Sequence, residues 1–351
     1  MGIPFAGSER SPVSLRSVEI ITSAHWEGDP RLNRHVQYLK DAGHEAWLIS
    51  HRGPSRLASM RAAFISILRS PSDVVIIPDP ELFLPGSVAA RLTGKSPVID
   101  IHEDYGKAAM ARPWVPTWAR IIVRMLASLL IWLGRAAAWR VVVAAPELSR
   151  GNDSVVLNLP EPDSLPVTGY NGSKRLVYVG DVTEARGATA MVRMLADLDD
   201  RFELLLIGDC GRETAASIAA TSRELGVSDR IEMTGRLGHR EAWRLASGCL
   251  AGLSLLEPAP AYRRAVATKL WEYMSVGLPP IVSDLPGQRR LVIQIDPDLV
   301  CSSPDQAARV ATNLASDPTR RSAAAEKGRR LLEGVWDKNR PDLAIQAVVE
   351  P

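Results

Sequence analysis

The sequence predicts an α/β protein built of two doubly wound, Rossmann-like domains that face a central cleft. Short runs of β-branched residues alternate with longer helical patterns, which is typical of βαβ units and parallel sheets. A stretch rich in Pro, Gly, Asn and Ser, LNLPEPDSLPVTGYNGSK at residues 157–174, interrupts this alternation and indicates a linker. The length of 351 residues is long for one core and sufficient for two.

Five strands are expected in the first half, each a short apolar run: VEIITS (18–23), EAWLIS (45–50), DVVIIP (73–78), PVIDI (97–101) and RVVVAA (140–145). Helical patterns lie between them. In RLNRHVQYLKDAGHE, Leu32, Val36 and Leu39 share one helix face, and Gly43 ends the helix.

The second half repeats the alternation, with strands expected at RLVYVG (175–180), FELLLIG (202–208), RIEMTG (230–235), LAGLSLL (250–256) and PPIVSD (279–284). Helices should begin near residues 186, 212, 240, 268 and 304, and a long polar helix should run from Pro318 to about Val335. The chain is therefore expected to begin with a disordered lead-in (1–15) and a first domain (16–160). A linker (161–174), a second domain (175–335) and a tail (336–351) follow.

The composition excludes few classes of protein. The chain is 46% hydrophobic and 23% charged, and its net charge of +2 does not favour a nucleic-acid partner. Cys210, Cys249 and Cys301 are scattered without metal-ligand spacing, which suits buried thiols in a reducing compartment. The first residues lack the charged region and apolar run of a signal peptide. We therefore expect a cytoplasmic protein.

The segment between Tyr105 and Pro146 contains no Asp or Glu, although it carries Lys107 and five arginines. Its apolar run IIVRMLASLLIWLGR is too short, and too interrupted by Arg124, to span a bilayer. Two interpretations remain open. The run is either an amphipathic helix at the inner face of a membrane, with nearby tryptophans at the surface, or a core-facing helix with solvated arginines.

Three consecutive strands of the second half end in a glycine: Gly180, Gly208 and Gly235. Ligands of open α/β sheets bind at the carboxyl ends of the strands. Glycine there lets the backbone approach a ligand, and the following helix directs its free N–H groups toward an anion. The three turns together favour a nucleotide or phosphate ligand.

Two cations stand where helices begin. Arg186, followed by Gly187, opposes the dipole of its helix and is suited to a pyrophosphate. In TKLWEYMSVGLP, Thr268 is the expected N-cap, so Lys269 would be the first helical residue and would also need an anion. Glu272 is one residue too far from Thr268 for a capping box. A ribose diol would explain this carboxylate, and the alternative is an exposed i,i+3 ion pair with Lys269.

The order of these turns, RLVYVGDVTEARG, ELLLIGDCG, RIEMTGRL and TKLWEYMSVGLPPIVSD, resembles retaining glycosyltransferases of family 4. The last stretch is similar to a TKLFEYM-like donor-site motif of bacterial members. DPRLNRHVQYLKDAGHEAWLIS, IPDPELFLPG and VIDIHEDYGK resemble segments of the acceptor domain. The resemblance covers about residues 18–335. It implies the GT-B fold and metal-independent transfer of a sugar from a nucleoside diphosphate sugar to an acceptor hydroxyl, with retained anomeric configuration. The first domain would bind the acceptor and the second the donor.

The resemblance also implies roles for single residues. Arg186 and Lys269 would hold the diphosphate and stabilise the leaving group, Glu272 would bind the ribose, and His102 would lie near the acceptor and the transferred sugar. Further donor-side residues would be Gly180, Asp181, Gly187, Gly208, Gly235, Arg236, Leu237, Thr268 and Leu270. Acceptor-side candidates are Asp29, Arg31, Glu103 and Asp104.

The chain departs from the family pattern twice. Arg264 stands eight residues before Glu272, where many members carry a glutamate, so the hexose contact would be either absent or made instead by Arg263 or Arg264. Asp181 stands where the family often has a basic residue.

Three functions remain open: a hexosyl- or N-acetylhexosaminyltransferase, a catalytically silent nucleotide-sugar-binding subunit of a glycosylation complex, and a sugar-nucleotide 2-epimerase. The acceptor would be a lipid-linked intermediate, a glycan or a small natural product.

Overall fold

The computed structural model describes residues 15–106, 116–259, 262–263 and 266–351. The chain forms two compact units: Met1–Asn158 together with Asn339–Pro351, and Leu159–Lys338. Nearly all of the expected lead-in, residues 1–15, lies outside the described residues.

The first unit contains a parallel sheet of six strands in the order β2-β1-β3-β4-β5-β6. The strands are β1 (Ser17–Thr22), β2 (Glu45–Ser50), β3 (Val74–Ile77), β4 (Ser96–Ile101), β5 (Arg140–Val143) and β6 (Ser154–Val155). Each of the five expected strands is present, to within two residues at either end. β3 is buried at every position, as expected of a central parallel strand covered on both faces.

The helices that accompany this sheet include α1 (Pro30–Asp41), α2 (Arg56–Arg69), α3 (Phe83–Leu92) and α4 (Arg120–Ala137). Asp29 is the N-cap of α1, where its carboxylate accepts hydrogen bonds from the backbone N–H groups of Arg31 and Leu32. Gly43 adopts φ +90° just beyond the end of α1, in agreement with the expected helix stop.

The second unit contains another parallel sheet of six strands, in the order β12-β11-β10-β7-β8-β9. The strands are β7 (Arg175–Val179), β8 (Glu203–Ile207), β9 (Ile231–Gly235), β10 (Ala251–Ser254), β11 (Pro280–Ser283) and β12 (Val300–Cys301). The chain proceeds outward from β7 to β9 and then crosses to the other side of β7. This reversal places a topological switch point between β7 and β10, where open α/β sheets bind ligands.

The helices of the second unit are α5 (Ala188–Ala196), α6 (Arg212–Glu224), α7 (His239–Ala246), α8 (Thr268–Ser275), α9 (Pro286–Val292), α10 (Pro304–Ser316) and α11 (Pro318–Asn339). The five expected helix starts agree with the structure to within two residues. The helix that begins at Pro318 continues four residues beyond the expected Val335.

Residues 336–351, expected as a tail, belong to two helices. The first of these residues complete α11, and a further helix, α12 (Pro341–Val349), packs against α1, β5 and β6 of the first unit. Ile345, Val348 and Val349 are fully buried there. The second unit is therefore an insertion within the sequence of the first.

Candidate functional site

Two cations of the second unit converge on the turn that follows β7. Gly180 has φ +129°, and a Cβ atom added there would lie 3.1 Å from Lys269 Nζ and 3.6 Å from Arg186 Nη1. A side chain at this position would compete with both cations for space. The turn lies at the switch point, and it brings together Gly180, Arg186 and Lys269 as the sequence predicts.

The Lys269 ammonium is buried and has no hydrogen-bond partner among the described residues. Nζ lies 3.5 Å from the centroid of the Tyr178 ring, which supplies a cation–π contact. Burial, together with the nearby Arg186 charge, holds the pKa of Lys269 well below its ordinary value. An ammonium left without hydrogen bonds is costly, and an anionic ligand at this turn would satisfy it.

Arg186 remains charged. Burial acts to lower its pKa, but Tyr178, Asp181 and Tyr262 outweigh burial and raise it. Nη1 lies 3.4 Å from the Asp181 carboxylate, which is also 3.7 Å from Nη2 of Arg236. The exposed Asp181 carboxylate therefore lies between two guanidinium groups, beside the turn that would receive a diphosphate.

The other two glycine turns adjoin this one. Gly208 N donates to the Gly235 carbonyl oxygen at 2.9 Å, and Gly180 N donates to Ile207 O at 2.8 Å. At Gly187, with φ +86°, an added Cβ would lie 2.0 Å from the Leu255 carbonyl oxygen. Glycine at 187 is thus required by both conformation and space, because this residue packs the loop after β7 onto the loop after β10.

The N-cap of α8 is Ala267 and not Thr268, so the prediction for Thr268 is wrong. Ala267 is extended and its carbonyl accepts from Leu270 N at 3.0 Å, which makes Thr268 the first helical residue and Lys269 the second. Lys269 still lies in the first turn, where a cation opposes the helix dipole. The Leu270 side chain is fully buried in the core.

The Glu272 carboxylate is buried and lies 3.0 Å from Nε2 of His239. Its burial excludes the alternative of an ion pair with Lys269 on a solvated face. His239 begins α7, two residues after Leu237, and Trp243 Nε1 approaches the same ring nitrogen at 3.1 Å. Sequence analysis missed His239, although its position just after the third glycine turn, in RLGHRE, was a usable signal.

The loop after β10 carries the remaining donor-side candidates. Arg263 is exposed, and its carbonyl oxygen accepts from Gly287 N at 2.9 Å. Arg264 lies outside the described residues. The fully buried Gln288 bonds Ser254 Oγ at 2.6 Å and Ser283 Oγ at 3.0 Å, which ties the ends of β10 and β11 together beneath this loop.

In the first unit, Arg31 links the end of β4 to α1. Nη1 donates to the buried Asp100 carboxylate at 2.8 Å, and Nη2 lies 3.2 Å from Nδ1 of His102. Burial and the Arg31 charge lower the pKa of His102 to about 3. Because a guanidinium can only donate, Nδ1 of the neutral imidazole accepts and the proton resides on Nε2. The Tyr105 hydroxyl lies 2.9 Å from Nδ1 as well.

A second layer of charges supports this group. Asp29 lies 2.9 Å from His25 Nδ1, and the His25 ring packs edge-on against His102 with centroids 5.3 Å apart. Burial acts to raise the pKa of Asp29, but bonds from His25 and the α1 backbone outweigh it, and the pKa falls to about 2. Glu103 and Asp104, by contrast, are exposed. The structure thus groups Asp29 with Arg31 and His102, and places Glu103 and Asp104 at the surface.

Within the described ranges, no group of three or more His, Cys, Asp or Glu side chains is arranged to hold a metal ion.

Residues 166–331 match the family model described as glycosyl transferases group 1. The matched residues lie within the second unit. None of the curated proteins compared with the chain matches it in sequence.

Solved structures match the chain over both units. The Anabaena protein HepE in complex with UDP-glucose has a TM-score of 0.70 at 11% identity, covering 95% of this chain and 99% of that one. Sucrose-phosphate synthase from Thermosynechococcus elongatus has a TM-score of 0.69 at 15% identity, covering 95% and 98%. WaaG, a glycosyltransferase involved in lipopolysaccharide biosynthesis, has a TM-score of 0.65 at 15% identity, covering 95% and 99%. The expected GT-B fold of two doubly wound domains is confirmed.

Proposed function

We propose that the protein is a retaining glycosyltransferase of family 4. In this proposal it moves a sugar from a nucleoside diphosphate sugar to an acceptor hydroxyl and needs no metal. The observation that carries the proposal is the buried ammonium of Lys269 beside the Gly180 turn, which has no hydrogen-bond partner among the described residues. An anionic ligand at that turn would supply the hydrogen bonds that the described residues do not.

The donor's diphosphate would lie against the Gly180 turn, with Lys269 and Arg186 on its oxygens. Negative charge grows on the leaving phosphate as the glycosidic bond breaks, and fixed cations stabilise that charge most where water is excluded. Tyr178 holds both cations in place before the donor arrives, through its ring face and its hydroxyl. Because these two cations would neutralise the leaving group, chelation with EDTA should leave the rate unchanged.

The nucleoside would extend from the diphosphate toward α7 and α8. Glu272 would accept hydrogen bonds from the ribose hydroxyls, and the His239 ring, 3.0 Å from its carboxylate, would limit the positions this side chain can take. The base would lie against the loop formed by Gly235, Arg236 and Leu237. Uridine is the first base to test, because the similar Anabaena structure contains UDP-glucose.

Transfer with retention would proceed at one face of the sugar, with the leaving phosphate taking the acceptor's proton, so no protein nucleophile is required. His102 would act as a neutral hydrogen-bond donor through Nε2–H, toward the acceptor or the transferred sugar. With a pKa of about 3 it is not a proton source near neutral pH. Hexosyl and N-acetylhexosaminyl donors both fit this proposal. The cysteines are free thiols, which suits our proposed location in the reducing cytoplasm.

Calorimetry with UDP, GDP, ADP and TDP tests the donor site directly. One nucleotide should bind, and Lys269→Ala and Arg186→Ala should each weaken it at least tenfold. Lys174→Ala is the matched control, since Lys174 also lies over an aromatic ring but pairs with Asp199 at 3.2 Å. Binding of no nucleotide, or wild-type affinity in the Lys269 variant, would exclude the proposed diphosphate site.

One observation favours a second candidate, a catalytically silent subunit that binds nucleotide sugar. The Asp181 carboxylate already lies between Arg186 and Arg236, so the site carries less free positive charge than the arginines alone would give. The purified protein distinguishes the two functions. An active enzyme slowly hydrolyses its donor or transfers the sugar to added acceptors, whereas a silent subunit binds the donor and leaves it intact.

A further inference from the structure

Two surface features of the first unit take no part in the proposed transfer. One is the outer face of α4, where apolar side chains from Ile121 to Trp132 are exposed and the described residues leave them open to solvent. None of the helices in the described part of the chain is long and apolar enough to cross a membrane. The other feature is a cleft beside β2, and the groups that line it indicate a class of ligand.

The cleft exists because α2 leaves the edge of the sheet open. β2 is the edge strand beside β1, and α2 packs on β1 and α3. Glu19, Ile49 and Ile65 are among the residues that line the open space, which has a volume of about 450 Å³. Small-molecule sites usually have volumes of roughly 300–1,000 Å³. The cleft is therefore large enough for a compact organic ligand.

Glu19 places a carboxylate in this cleft. Its side chain lies on the same face of β1 as Ile21, which belongs to the hydrophobic core, because residues two apart on a strand share a face. Glu19 is only 8% exposed, and none of the described residues forms a hydrogen bond or an ion pair with its carboxylate. A buried charge without a partner is costly, and such a departure from good packing is typical of a binding site.

Trp47 stands beside Glu19 on the neighbouring strand. The parallel register pairs these two residues, so their side chains lie on one face of the sheet. Ala46, which points to the other face, is fully buried, whereas Trp47 is 45% exposed. A carboxylate next to an exposed indole can bind an organic cation, both through its charge and through a cation–π contact with the ring.

The other lining groups favour a primary ammonium attached to an apolar body. Nε2 of His51 is buried without a hydrogen-bond partner in the described structure, and it can accept a bond from an N–H group when the ring proton is on Nδ1. Arg69 also lines the cleft, but its side chain is exposed, so water and salt screen its charge more than that of Glu19. Three side chains supply apolar walls: Ile49, Ala62 and Ile65.

We propose that this cleft binds a small organic ammonium compound, with the ammonium group at Glu19 and the apolar body against α2. The carboxylate attracts cations and repels anions, and the apolar walls disfavour a ligand that needs water on every side. The ammonium donates to Glu19 and His51, and the Trp47 ring packs against it from the neighbouring strand. The site belongs to the first unit alone and does not depend on the proposed glycosyl transfer.

Ligand-observed NMR and calorimetry test the site with three probes of similar shape. Phenethylamine carries the ammonium group, 2-phenylethanol has a hydroxyl in its place, and 3-phenylpropionate has a carboxylate. Phenethylamine should bind with a Kd in the millimolar range. The alcohol and the anion should bind about tenfold more weakly or not at all, because neither forms the charged hydrogen bond with Glu19.

Variants of the cleft separate its charge from its shape. Glu19→Gln should weaken phenethylamine binding about tenfold and raise the Tm of the ligand-free protein, because it removes the buried charge and keeps the size of the side chain. Ala62→Phe should abolish binding by filling the cleft. The matched control is Glu45→Gln, which removes an exposed carboxylate from the same face of β2 as Trp47 and should change neither binding nor Tm.

Two outcomes would overturn the proposal. In the first, phenethylamine does not bind at millimolar concentration, or 3-phenylpropionate binds as well as it does. In the second, Glu19→Gln binds phenethylamine as tightly as Glu45→Gln does, which would make the contact an apolar one. Nucleotide calorimetry of each variant reports separately on the donor site, so a failure of the cleft proposal and a failure of the proposed function are distinguishable.

Discussion

Replacing Lys269 by methionine should make the ligand-free protein more stable and abolish nucleotide binding. Methionine retains a long unbranched side chain beside Tyr178 and removes the ammonium, which is buried without a hydrogen-bond partner in the described structure. A purely structural lysine would give the opposite result, because its loss would weaken the core.

The size of the effect follows from the contacts of Nζ. An unsatisfied buried group costs about 1–3 kcal/mol, more if charged. The cation–π contact at 3.5 Å offsets up to about 2 kcal/mol of that cost. A methionine sulfur against the same ring recovers about 0.3–1.5 kcal/mol. The net gain is about 1 kcal/mol, or roughly 2–4 °C in Tm for a unit of this size.

The gain in stability from Lys269→Met should depend on pH. The folded-state pKa of Lys269 lies below its ordinary value of 10.5, so between these two values the unfolded chain binds more protons than the folded one. The wild type is therefore stabilised as pH rises through this window, and the penalty of the buried charge is fully present only below it. The advantage of Lys269→Met should shrink as pH approaches 10.5.

Differential scanning calorimetry at pH 7 and pH 10, with and without UDP, measures both effects. Lys174→Met is the control: it removes a partly exposed ion pair with Asp199 and should change the free energy of unfolding only slightly. The reasoning is refuted if Lys269→Met lowers Tm at pH 7 by more than the control does, or if UDP still raises the Tm of that variant.

Four other substitutions give separate tests. Asp181→Asn removes the carboxylate between the two arginines and should raise nucleotide affinity about fivefold by calorimetry, from about 1 kcal/mol for one exposed charge at 4 Å. Gly187→Ala forces a Cβ onto the Leu255 carbonyl at a positive φ and should lower the free energy of unfolding by about 3 kcal/mol in a denaturant titration. Glu272→Gln should weaken nucleoside diphosphate about tenfold and leave inorganic pyrophosphate binding unchanged; equal losses would move Glu272 away from the ribose. His102→Ala should spare nucleotide binding and impair transfer, and, since the pKa of His102 is about 3, the wild-type rate should show no titration of this residue from pH 5 to 8.

The sequence predicted most of the fold because parallel strands that are buried on both faces read as continuous apolar runs. The elements it missed are short. β6 and β12 have two residues each, and α9 has seven, too few for a periodic pattern. Helix α12 was missed for another reason: it follows the polar α11 closely, and nothing in the sequence shows that it returns to the first unit.

A residue of the candidate site was predictable from the sequence where its charge is unfavourable at its position in a helix. Lys269 stands in the first turn of α8, which disfavours a cation, and this contradiction is visible in the sequence. Arg186, which was expected to begin a helix, instead ends the 3-10 turn Glu184–Arg186, just before Gly187, the N-cap of α5. Their partners Tyr178 and Tyr262 lie far from one another in the chain and carry no such signal. The cap of α8 was misassigned because Thr268 is a far better N-cap type than Ala267, while the backbone starts the helix one residue earlier than that preference suggests.

The return of α12 to the first unit bears on how the chain folds during synthesis. Domains of nascent chains usually fold in order from the N-terminus. Here residues 17–155 emerge first but lack the helix that covers β5, β6 and α1, and that helix is made only after residues 159–338. The two units should therefore finish folding in the reverse of their order of synthesis. The inserted unit folds first, and the sheet of the first unit keeps an apolar face exposed until α12 leaves the ribosome.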